Sequence, residues 1–474
     1  MKLLSIGCGA VCKSFFELLY VKKSKSGKRP IKIDKLTIID PELKPEWGYL
    51  IETWTGVAPV IINIALNKEN IDNIVSNLLD SHDFVIDLSV NVDSLRLVKL
   101  CKNKGANYIN TSVENFDIPH PEKLSKSTIE KRLLYNRMME AHSIFNRGKG
   151  EKPTMVLNAG MNPGLVQHFS KKCIHEIVTK VLGDNGLKKM LKEEKWGEVC
   201  KSLKVSTIHV SEIDTQVCKY RRPNGWFINT WSANGLISEG QDPVQVSTHE
   251  TSKIGSKTWE TPKKGEKNIK YLFARGVDVK ANTYFPLPGG DKYVSGTGFV
   301  IPHSENDTLA KFLRVGDYFP DVYYVYHPSP IAMSSVGALK RNGYKALPHT
   351  KVLTLGEIKS GYDAVGALLF LEKSEYFEEP IAFWCGTLLS TEAVHSLGFK
   401  VSNATCLQVS APLLSTVRWM LKNRTSDTLL SPENLPYNTI ISDCEDYLGE
   451  ILFTPIKYSE KPTLSINKFI TRCE

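Results

Sequence analysis

Short apolar runs alternate with stretches of helical periodicity through the first 160 residues. An apolar run from Lys2 to Ile6 is followed by apolar positions at helical spacing from Phe15 to Leu19, and a second apolar run ends at Asp40. Such alternation is typical of a doubly wound parallel sheet covered by helices. Further strands are predicted at 57–63, 84–90, 105–111 and 153–158, and helices at 70–79, 94–104 and 133–145.

The turn after the first strand has the composition of a dinucleotide-binding loop. Gly7 permits a tight turn, and Gly9 lets the backbone approach a pyrophosphate. Ala10 and Val11 then begin a helix, whose N-terminal N–H groups and dipole would hold that group. The sequence therefore predicts a Rossmann-type cofactor domain over residues 1–162.

Asp40 favours NAD over NADP. A carboxylate at the end of the second strand accepts a hydrogen bond from a ribose 2′-hydroxyl and repels a 2′-phosphate. Two features depart from the usual pattern. Cys12 replaces the third glycine, and a basic segment from Lys22 to Arg29, interpreted as a solvated loop, lengthens the gap before Asp40.

Small and polar residues follow the later strands of this domain. Because ligands bind at the carboxyl edge of a doubly wound sheet, these residues are expected to meet the cofactor or substrate there. Glu114 is delivered to the same edge. The expected cofactor-binding residues at this edge are Ser89, Thr111, Asn158, Ala159 and Gly160.

Asn162 and Pro163 lie at the end of this domain. Pro163 suits the first turn of a helix, so Asn162 is interpreted as the cap that begins a long helix. The alternative is an amide side chain directed into the cleft beside the nicotinamide. Both interpretations remain open at this point.

The pattern changes from about residue 165. Strands are predicted at 205–212, 225–231, 299–303, 323–326, 351–355 and 364–371. This irregular mixture predicts an α+β substrate and dimerisation domain over residues 163–400. The remaining segment, 401–474, is predicted to be a helical return and tail, with a helix near 403–420 that packs back on the first domain.

Composition narrows the class of protein. The chain has 474 residues, of which 42% are hydrophobic and 23% charged, and no apolar run approaches the ~20 residues of a membrane helix. No secretory leader is seen, and the ten cysteines show no metal-site spacing, so a cytoplasmic protein without a metal is expected. The net charge of +9 lies in lysine-rich segments without nucleic-acid-binding motifs, so no nucleic-acid partner is expected.

Four residues in the second half suit an organic ammonium substrate: Glu212, Trp231, Glu239 and His303. Acidic side chains pair with ammonium groups, and an indole face attracts a cation by ~0.5–2 kcal/mol. His303 titrates near neutrality and is suited to proton transfer with an amine or imine. Each residue alone also fits a purely structural role.

Several runs resemble the signature of bacterial homospermidine synthase, within the saccharopine dehydrogenase-like superfamily. They span nearly the whole chain in the same order. The resemblance implies a homodimer with bound NAD that converts two putrescines into homospermidine and ammonia. The runs are NAGMNPGLV at 158–166, EIDTQ at 212–216, NTWSANGLISEG at 229–240, GFVIPH at 298–303 and NATCLQV at 403–409.

The resemblance also implies roles for individual residues. The ammonium-binding aromatic falls on Trp231, and its companion acid falls on Glu239. Glu212 and Glu114 would hold amino groups, while Asn162 and His303 would line the reacting centre. Asn91 stands where an acid is expected at the entry of the substrate channel, which is a departure from the family pattern.

Two alternatives stay open. A related dehydrogenase that makes a carboxylated polyamine or saccharopine would need arginines in the cleft, and Arg221 and Arg222 lie near Glu212 in sequence. A non-catalytic NAD-binding module would use the fold without needing Trp231, Glu239 and His303 together. Fold alone does not decide between these functions.

Overall fold

A computed structural model describes most of the chain. The described residues are 1–27, 30–116, 130, 132–147, 152–251, 253–255, 257–263, 266–458 and 463–466. Lys28 and Arg29, the end of the predicted basic loop, lie outside these ranges. Within them, no helix is long and apolar enough to cross a membrane.

The N-terminal half forms the predicted parallel sheet. Its six strands follow the order β3-β2-β1-β4-β5-β6 and all pair in parallel. The strand order reverses between β1 and β4, and ligands bind at such a switch point. The predicted Rossmann-type fold is confirmed. The strands are β1 (Lys2–Ile6), β2 (Lys35–Ile39), β3 (Val60–Ile62), β4 (Phe84–Asp87), β5 (Asn107–Asn110) and β6 (Met155–Val156).

Five helices accompany this sheet, and the strands β1, β2, β4 and β5 are almost entirely buried. Residues of β1, β2 and β4 therefore contribute apolar side chains to the packed interior on both faces of the sheet. The helices are α1 (Ala10–Ser26), α2 (Pro45–Thr55), α3 (Ile71–Leu78), α4 (Ser94–Lys104) and α5 (Leu134–Asn146).

The basic segment after Tyr20 is not the predicted solvated loop where it is described. Helix α1 continues through Ser26 and ends at Gly27, which has a φ of 72°. Buried Val21 continues the apolar face of this helix. The Lys22 ammonium donates to the carbonyl of Asp443 at 2.7 Å. The predicted loop is thus a helix as far as Ser26, although Lys23 and Lys25 are exposed, as expected of a solvated segment.

Asn162 does not cap the long helix that follows. That helix, α6 (Leu165–Glu176), begins after Gly164, and the Asn162–Pro163 peptide is cis. Gly164 has a φ of 144°, and a Cβ there would lie 1.8 Å from the carbonyl oxygen of Gly160. The chain therefore turns sharply before the helix, and this turn leaves the Asn162 side chain available for a distant partner.

The second half is built on a mixed sheet of eleven strands. Its main path is β11-β12-β10-β15-β7-β18-β19-β20, and β14, β13 and β21 extend it from β15. The predicted α/β plus α+β class is confirmed. The strands are β7 (Val205–Asp214), β10 (Pro243–Ser247), β11 (Trp259–Glu260), β12 (Ile269–Arg275), β13 (Val279–Pro286), β14 (Tyr293–Ile301), β15 (Asp321–His327), β18 (Tyr362–Leu371), β19 (Ile381–Ser390), β20 (Glu450–Ile456) and β21 (Leu464–Ile466).

Two small sheets and several helices complete this half. Strands β9 (Trp226–Asn229) and β16 (His349–Val352) pair in parallel, and β8 (Val217–Cys218) pairs with β17 (Ile358–Ser360). Trp231 and His303 were expected inside strands, but each follows its strand by two residues. The helices are α7 (Asn185–Lys192), α8 (Trp196–Ser202), α9 (Ala233–Gln241), α10 (Glu305–Phe312), α11 (Pro330–Arg341), α12 (Thr391–Leu397), α13 (Ala404–Lys422) and α14 (Tyr437–Cys444).

The C-terminal part returns to the cofactor domain. Helix α13 lies against α1, where the hydroxyls of Ser14 and Ser410 are 2.8 Å apart. The buried Glu17 carboxylate of α1 accepts hydrogen bonds from three successive N–H groups at residues 400–402. Leu430 pairs with the edge strand β6. Beyond this return, β20 and β21 join the large sheet, so the tail is not only helical.

Candidate active site

A single cleft of about 610 Å³ runs between the carboxyl edge of the parallel sheet and the large mixed sheet. Most of the residues expected to bind cofactor or substrate line it, although they come from both halves of the chain. These residues are Gly7, Gly9, Ala10, Val11, Asp40, Ser89, Asn91, Thr111, Glu114, Gly160, Asn162, Glu212, Trp231, Glu239 and His303.

Two expected cofactor residues do not line this cleft. Ala159 is buried, and its N–H donates to the carbonyl of Asn110. Asn158 is also buried and lines a smaller cavity beside the cleft. We call this cavity the side chamber. It is bounded by Arg132, Arg137, Asn158, Ser238, Asp242 and Ser304, and it shares Ser112, Glu114, Pro163, Glu239 and His303 with the cleft.

The glycine turn fits a pyrophosphate. Gly7 has a φ of 81°, and a Cβ there would lie 2.8 Å from the backbone of Ser89. Gly9 is the N-cap of α1, and no side chain caps the first turn. A Cβ on Gly9 would meet nothing within 4 Å, so this position faces open space. The first N–H groups of α1 therefore suit a phosphate ligand from the cleft.

Asp40 is fixed at the rim of the cleft. One carboxylate oxygen accepts the Cys8 N–H at 2.7 Å, and the other accepts the Glu42 N–H at 2.9 Å. The carboxylate thus tethers the glycine turn while it lines the cleft, as ribose binding requires. These residues fit NAD. Cys12, the departure from the glycine pattern, is buried and lies 3.3 Å from the Ser5 hydroxyl.

Glu212 lies at the opposite end of the cleft, on β7. Its Oε2 accepts hydrogen bonds from the Tyr324 hydroxyl at 2.5 Å and from the Asn162 amide at 2.6 Å. Burial raises the pKa of Glu212 to about 7, although both hydrogen bonds oppose this rise. A carboxyl group that titrates near neutrality can accept and return a proton, as general acid–base catalysis requires.

His303 is held between two carboxylates. Its Nδ1 lies 3.1 Å from Glu305, its Nε2 lies 3.3 Å from Glu239, and its ring stacks on Tyr324 with centroids 4.2 Å apart. Burial alone lowers the pKa of His303, but the charges of Glu305 and Glu239 outweigh it and raise the pKa to about 10. The imidazole is therefore protonated at neutral pH and donates to both acids, so the expectation that His303 titrates near neutrality was wrong, because nothing in the sequence showed the two acids on either side of it.

Glu114 adds a second neutral-range acid. Its two oxygens accept from the Ser112 hydroxyl at 2.8 Å and from the Asn91 N–H at 3.4 Å. Burial, with the nearby charge of Glu239, raises the pKa of Glu114 to about 7. Asn91 has a φ of 64° and contributes its backbone to this contact. Because Asn91 makes this contact through its backbone, the replacement of the expected acid by Asn91 does not remove the hydrogen bond to Glu114.

Trp231 follows β9 and lies against α9. Its indole N–H donates to the Tyr326 hydroxyl at 3.3 Å. A Cβ on Gly235 would lie 2.5 Å from the indole ring, so only glycine lets α9 approach it. The preceding Thr230 donates its hydroxyl to Asp214 at 2.6 Å. The indole is therefore held from two sides while it lines the cleft.

Several residues of this site were missed in the sequence. Tyr324, Tyr326, Glu305 and Asp214 hold the functional side chains, yet each occurs in an ordinary strand or helix pattern. The only available signal was alternation along β7 and β15, which places Glu212 with Asp214, and Tyr324 with Tyr326, on common faces. Contacts between distant elements give no local pattern.

The cleft combines a dinucleotide site with an ammonium site. Its lining carries five carboxylates, from Asp40, Glu42, Glu114, Glu212 and Glu239. Among the described residues that line it, Lys351 is the one lysine or arginine, and it pairs with Glu357 at 2.5 Å. Arg221 and Arg222, considered for carboxylate binding, do not line the cleft. This electrostatic balance suits a cationic substrate.

The fold and the cleft define a protein that holds a dinucleotide beside a cluster of acidic side chains. Residues 3–150 match the family described as Saccharopine dehydrogenase NADP binding domain. This match confirms the dinucleotide-binding domain predicted from the glycine turn.

The particular relatives are homospermidine synthases. The enzyme of Mesorhizobium japonicum is 28% identical over 461 residues, covering 94% of this chain and 88% of the relative. That of Blastochloris viridis is 29% identical, with coverage of 88% and 84%. The structure of the Legionella pneumophila enzyme in complex with NAD matches with a TM-score of 0.76 and 28% identity, covering 96% of this chain and 91% of that one. The resemblance read from the motifs is confirmed.

Proposed function

We propose that this protein is an NAD-dependent homospermidine synthase, which converts two putrescines into homospermidine and ammonia. One observation carries the proposal. A dinucleotide-binding turn and a cluster of Glu114, Glu212, Trp231, Glu239 and His303 line the same cleft. The similarity to homospermidine synthases over 94% of the chain supports it further.

NAD, when bound, supplies a reversible hydride acceptor, so the oxidation of one diamine and the reduction of the new imine cancel. The side chains of the protein then have to bind the charged amino groups and transfer protons to and from them. An amine must be uncharged before it can lose hydride or attack a carbonyl. Glu212 faces the cleft with a pKa of about 7, so it can take up the proton that the substrate ammonium loses.

Asn162 and Tyr324 orient Glu212, because both donate to the same carboxylate oxygen. His303 keeps its proton at neutral pH, with a pKa of about 10, and so balances the charge of Glu239. We assign to Trp231 the binding of the cationic end of the substrate or intermediate, since an indole face attracts an ammonium without deprotonating it.

The charges of the residues that line the cleft favour diamines over amines that carry carboxylates. A saccharopine-type substrate needs a cation for each carboxylate, and Lys351 already pairs with Glu357. The expected NAD preference follows from Asp40, whose carboxylate would repel the 2′-phosphate of NADP. No observation favours the non-catalytic module.

We further propose a cytoplasmic homodimer. The described cysteines are all unpaired, as expected in a reducing compartment, and the resemblance to homospermidine synthases implies the dimer. Light scattering coupled to size-exclusion chromatography tests the assembly, because a mass near 53.2 kDa would contradict it.

Product analysis tests the reaction itself. The enzyme is incubated with putrescine as the only amine, with and without added NAD⁺. Homospermidine and ammonia in equal amounts, without accumulation of reduced cofactor, support a closed hydride cycle. Steady accumulation of reduced cofactor without homospermidine would instead indicate an ordinary amine dehydrogenase.

A further inference from the structure

A second cavity of about 310 Å³ lies between helices α5 and α10. We call it the helix cavity. None of the described residues that line it also lines the cleft, so the two spaces are separate. A volume of this size is typical of a small-molecule site, for which the usual range is roughly 300–1,000 Å³. The apolar wall of the helix cavity is formed by Tyr135, Met138, Met139, Ile269 and Phe312.

Two buried acids line the helix cavity, and each has one oxygen without a partner. Asp307 is 5% exposed, and its Oδ2 accepts a hydrogen bond from the Gln245 amide. Glu433 is 3% exposed, and its Oε1 accepts from the Thr308 hydroxyl at 2.5 Å and from the Gln167 amide at 3.3 Å. Asp307 Oδ1 and Glu433 Oε2 have no hydrogen-bond partner among the described residues. Buried polar groups are normally hydrogen-bonded, so these oxygens suit a ligand that donates hydrogen bonds.

One face of helix α10 brings both acids to the helix cavity. Four residues of this helix line the cavity at a spacing that places them on a common face: Asp307, Thr308, Lys311 and Phe312. The Thr308 hydroxyl in turn holds the carboxyl group of Glu433 beside that face. The two carboxyl groups therefore approach the cavity from the same side, opposite the apolar residues of α5.

Acidic groups outnumber cations in the helix cavity. Its described lining carries three carboxyl groups, from Glu266, Asp307 and Glu433. Lys311 is the one lysine or arginine among these lining residues, and it lies 3.9 Å from Glu266. Burial lowers the pKa of His142, so this ring adds no charge at neutral pH. The balance of charge leaves Asp307 and Glu433 for a cationic ligand.

The protein itself compensates these two acids poorly. Burial raises the pKa of both carboxyl groups, because their charged forms have lost contact with water. The charge of Lys171 opposes the rise at Glu433, but the Lys171 ammonium donates to the carbonyls of Glu433 and Leu435. A ligand cation beside the two carboxyl groups would favour their charged forms and would itself be held by them.

We propose that the helix cavity is a second binding site, which takes a linear aliphatic ammonium ion. The hydrocarbon chain packs on the apolar wall, which reaches the surface at the 45% exposed Met139, and the ammonium group pairs with Asp307 and Glu433. This inference is independent of the reaction proposed for the cleft. An occupant of the helix cavity also contacts the helix that begins at Glu305, the residue that holds His303.

Methyl NMR tests this site directly. The full chain is labelled with ¹³C at its methionine methyl groups and saturated with NAD, and the signal of Met139 is assigned from Met139→Leu. Addition of n-hexylammonium should shift this signal saturably and give nuclear Overhauser contacts between the hexyl chain and the Met139 methyl group. Absence of these contacts would overturn the proposal.

Two matched ligands separate the charge from the chain. The alcohol n-hexanol has the same chain without a charge, and hexanoate carries the opposite charge. The n-hexylammonium ion should bind at least about ten-fold more tightly than n-hexanol, the factor expected for a hydrogen bond to a charged group, and hexanoate should not bind. Equal affinities for the three ligands would indicate only an apolar pocket and would overturn the proposal.

Glu433→Gln removes one charge but keeps the acceptor that Thr308 and Gln167 use. The affinity for n-hexylammonium should fall at least about ten-fold. Trp231→Ala is the matched control and should leave this affinity unchanged, because Trp231 lines the cleft and not the helix cavity. An unchanged affinity in Glu433→Gln, or an equal loss in both variants, would refute the site. If Glu433→Gln does not fold, Asp307→Asn is read in the same way.

None of these binding measurements needs turnover. A protein that forms no homospermidine in the product analysis would therefore reject the proposed function without changing the binding expected in the helix cavity.

Discussion

Replacement of Glu305 by glutamine tests how the site controls the charge of His303. Glu305 is fully buried and lies 3.1 Å from Nδ1 of the imidazole. The pKa of His303 rises from 6.5 to about 10, which corresponds to roughly 5 kcal/mol at 1.36 kcal/mol per pKa unit. Glu305 and Glu239 share this effect. Because the two acids also offset the effect of burial, Glu305→Gln should lower the pKa of His303 by at least about half of the net rise, to roughly 8 or below.

The pH dependence follows with a defined sign. Folding raises the pKa of His303, so its contribution to stability is complete below pH 6.5 and disappears as the pH approaches 10. In Glu305→Gln this loss should be complete at lower pH. If the imidazolium is required for turnover, the alkaline limb of kcat/KM for putrescine should also move down by at least about one to two pH units, by the same reasoning.

Two measurements check this prediction. Long-range ¹H–¹⁵N spectra follow the His303 ring directly, and initial rates of homospermidine formation give the pH profile. Asp307→Asn is the matched control, because Asp307 lies on the same helix, is buried, and is not among the hydrogen-bond partners of the imidazole in the described residues. Should His303 titrate at the same pH in Glu305→Gln as in the wild type, the proposed origin of its charge is refuted.

Three further changes address the cation and cofactor sites. Trp231→Ala should lower kcat/KM for putrescine by about 10- to 100-fold, because the cation–π contact and the hydrogen bond to Tyr326 are lost. Trp231→Phe should have an intermediate effect, and calorimetry should show that NAD affinity is retained. Full activity of Trp231→Ala would show that the indole only packs in the protein interior. Gly235→Ala should raise the KM for putrescine because the added Cβ displaces the indole. This effect is expected even though alanine is more favourable than glycine in a helix by about 1 kcal/mol, which thermal unfolding measures. An unchanged KM would contradict the position of the indole beside Gly235. Asp40→Ala should weaken NAD binding by about ten-fold, the cost of one hydrogen bond to a charged group. Titrations of both cofactors should also show a smaller preference for NAD over NADP. An unchanged preference would show that Asp40 does not bind the ribose.

The parallel sheet could be predicted because its information is local. Most strands of residues 2–110 are short apolar runs, and β1 and β2 lead directly into the glycine turn and Asp40. The glycine turn and Asp40 are likewise defined by spacing along the chain, and both line the cleft. The motifs at 229–240 and 298–303 located Trp231, Glu239 and His303, although their strands end earlier than expected.

The contacts that tune the site could not be predicted, because they join distant elements. Asn162 was interpreted as a possible helix cap, but its amide bonds Glu212, fifty residues later. Glu305 follows His303 by two residues, and nothing in the sequence marked it as fully buried. The raised pKa values of Glu212 and Glu114 come from burial in the assembled cleft. Burial between two domains leaves no signature in either segment alone.

The contact between α1 and the segment 400–402 has a consequence for synthesis on the ribosome. Glu17 is 2% exposed, and its hydrogen-bond partners emerge nearly four hundred residues later. Until then, a nascent cofactor domain must keep this carboxylate in water, since an unpaired buried charge is costly. The apolar face that α1 presents to α13 also stays uncovered. The cofactor domain leaves the ribosome first, but it can finish folding only when residues 400–422 have been synthesised. Until then, slow folding or chaperones must protect its exposed apolar surface.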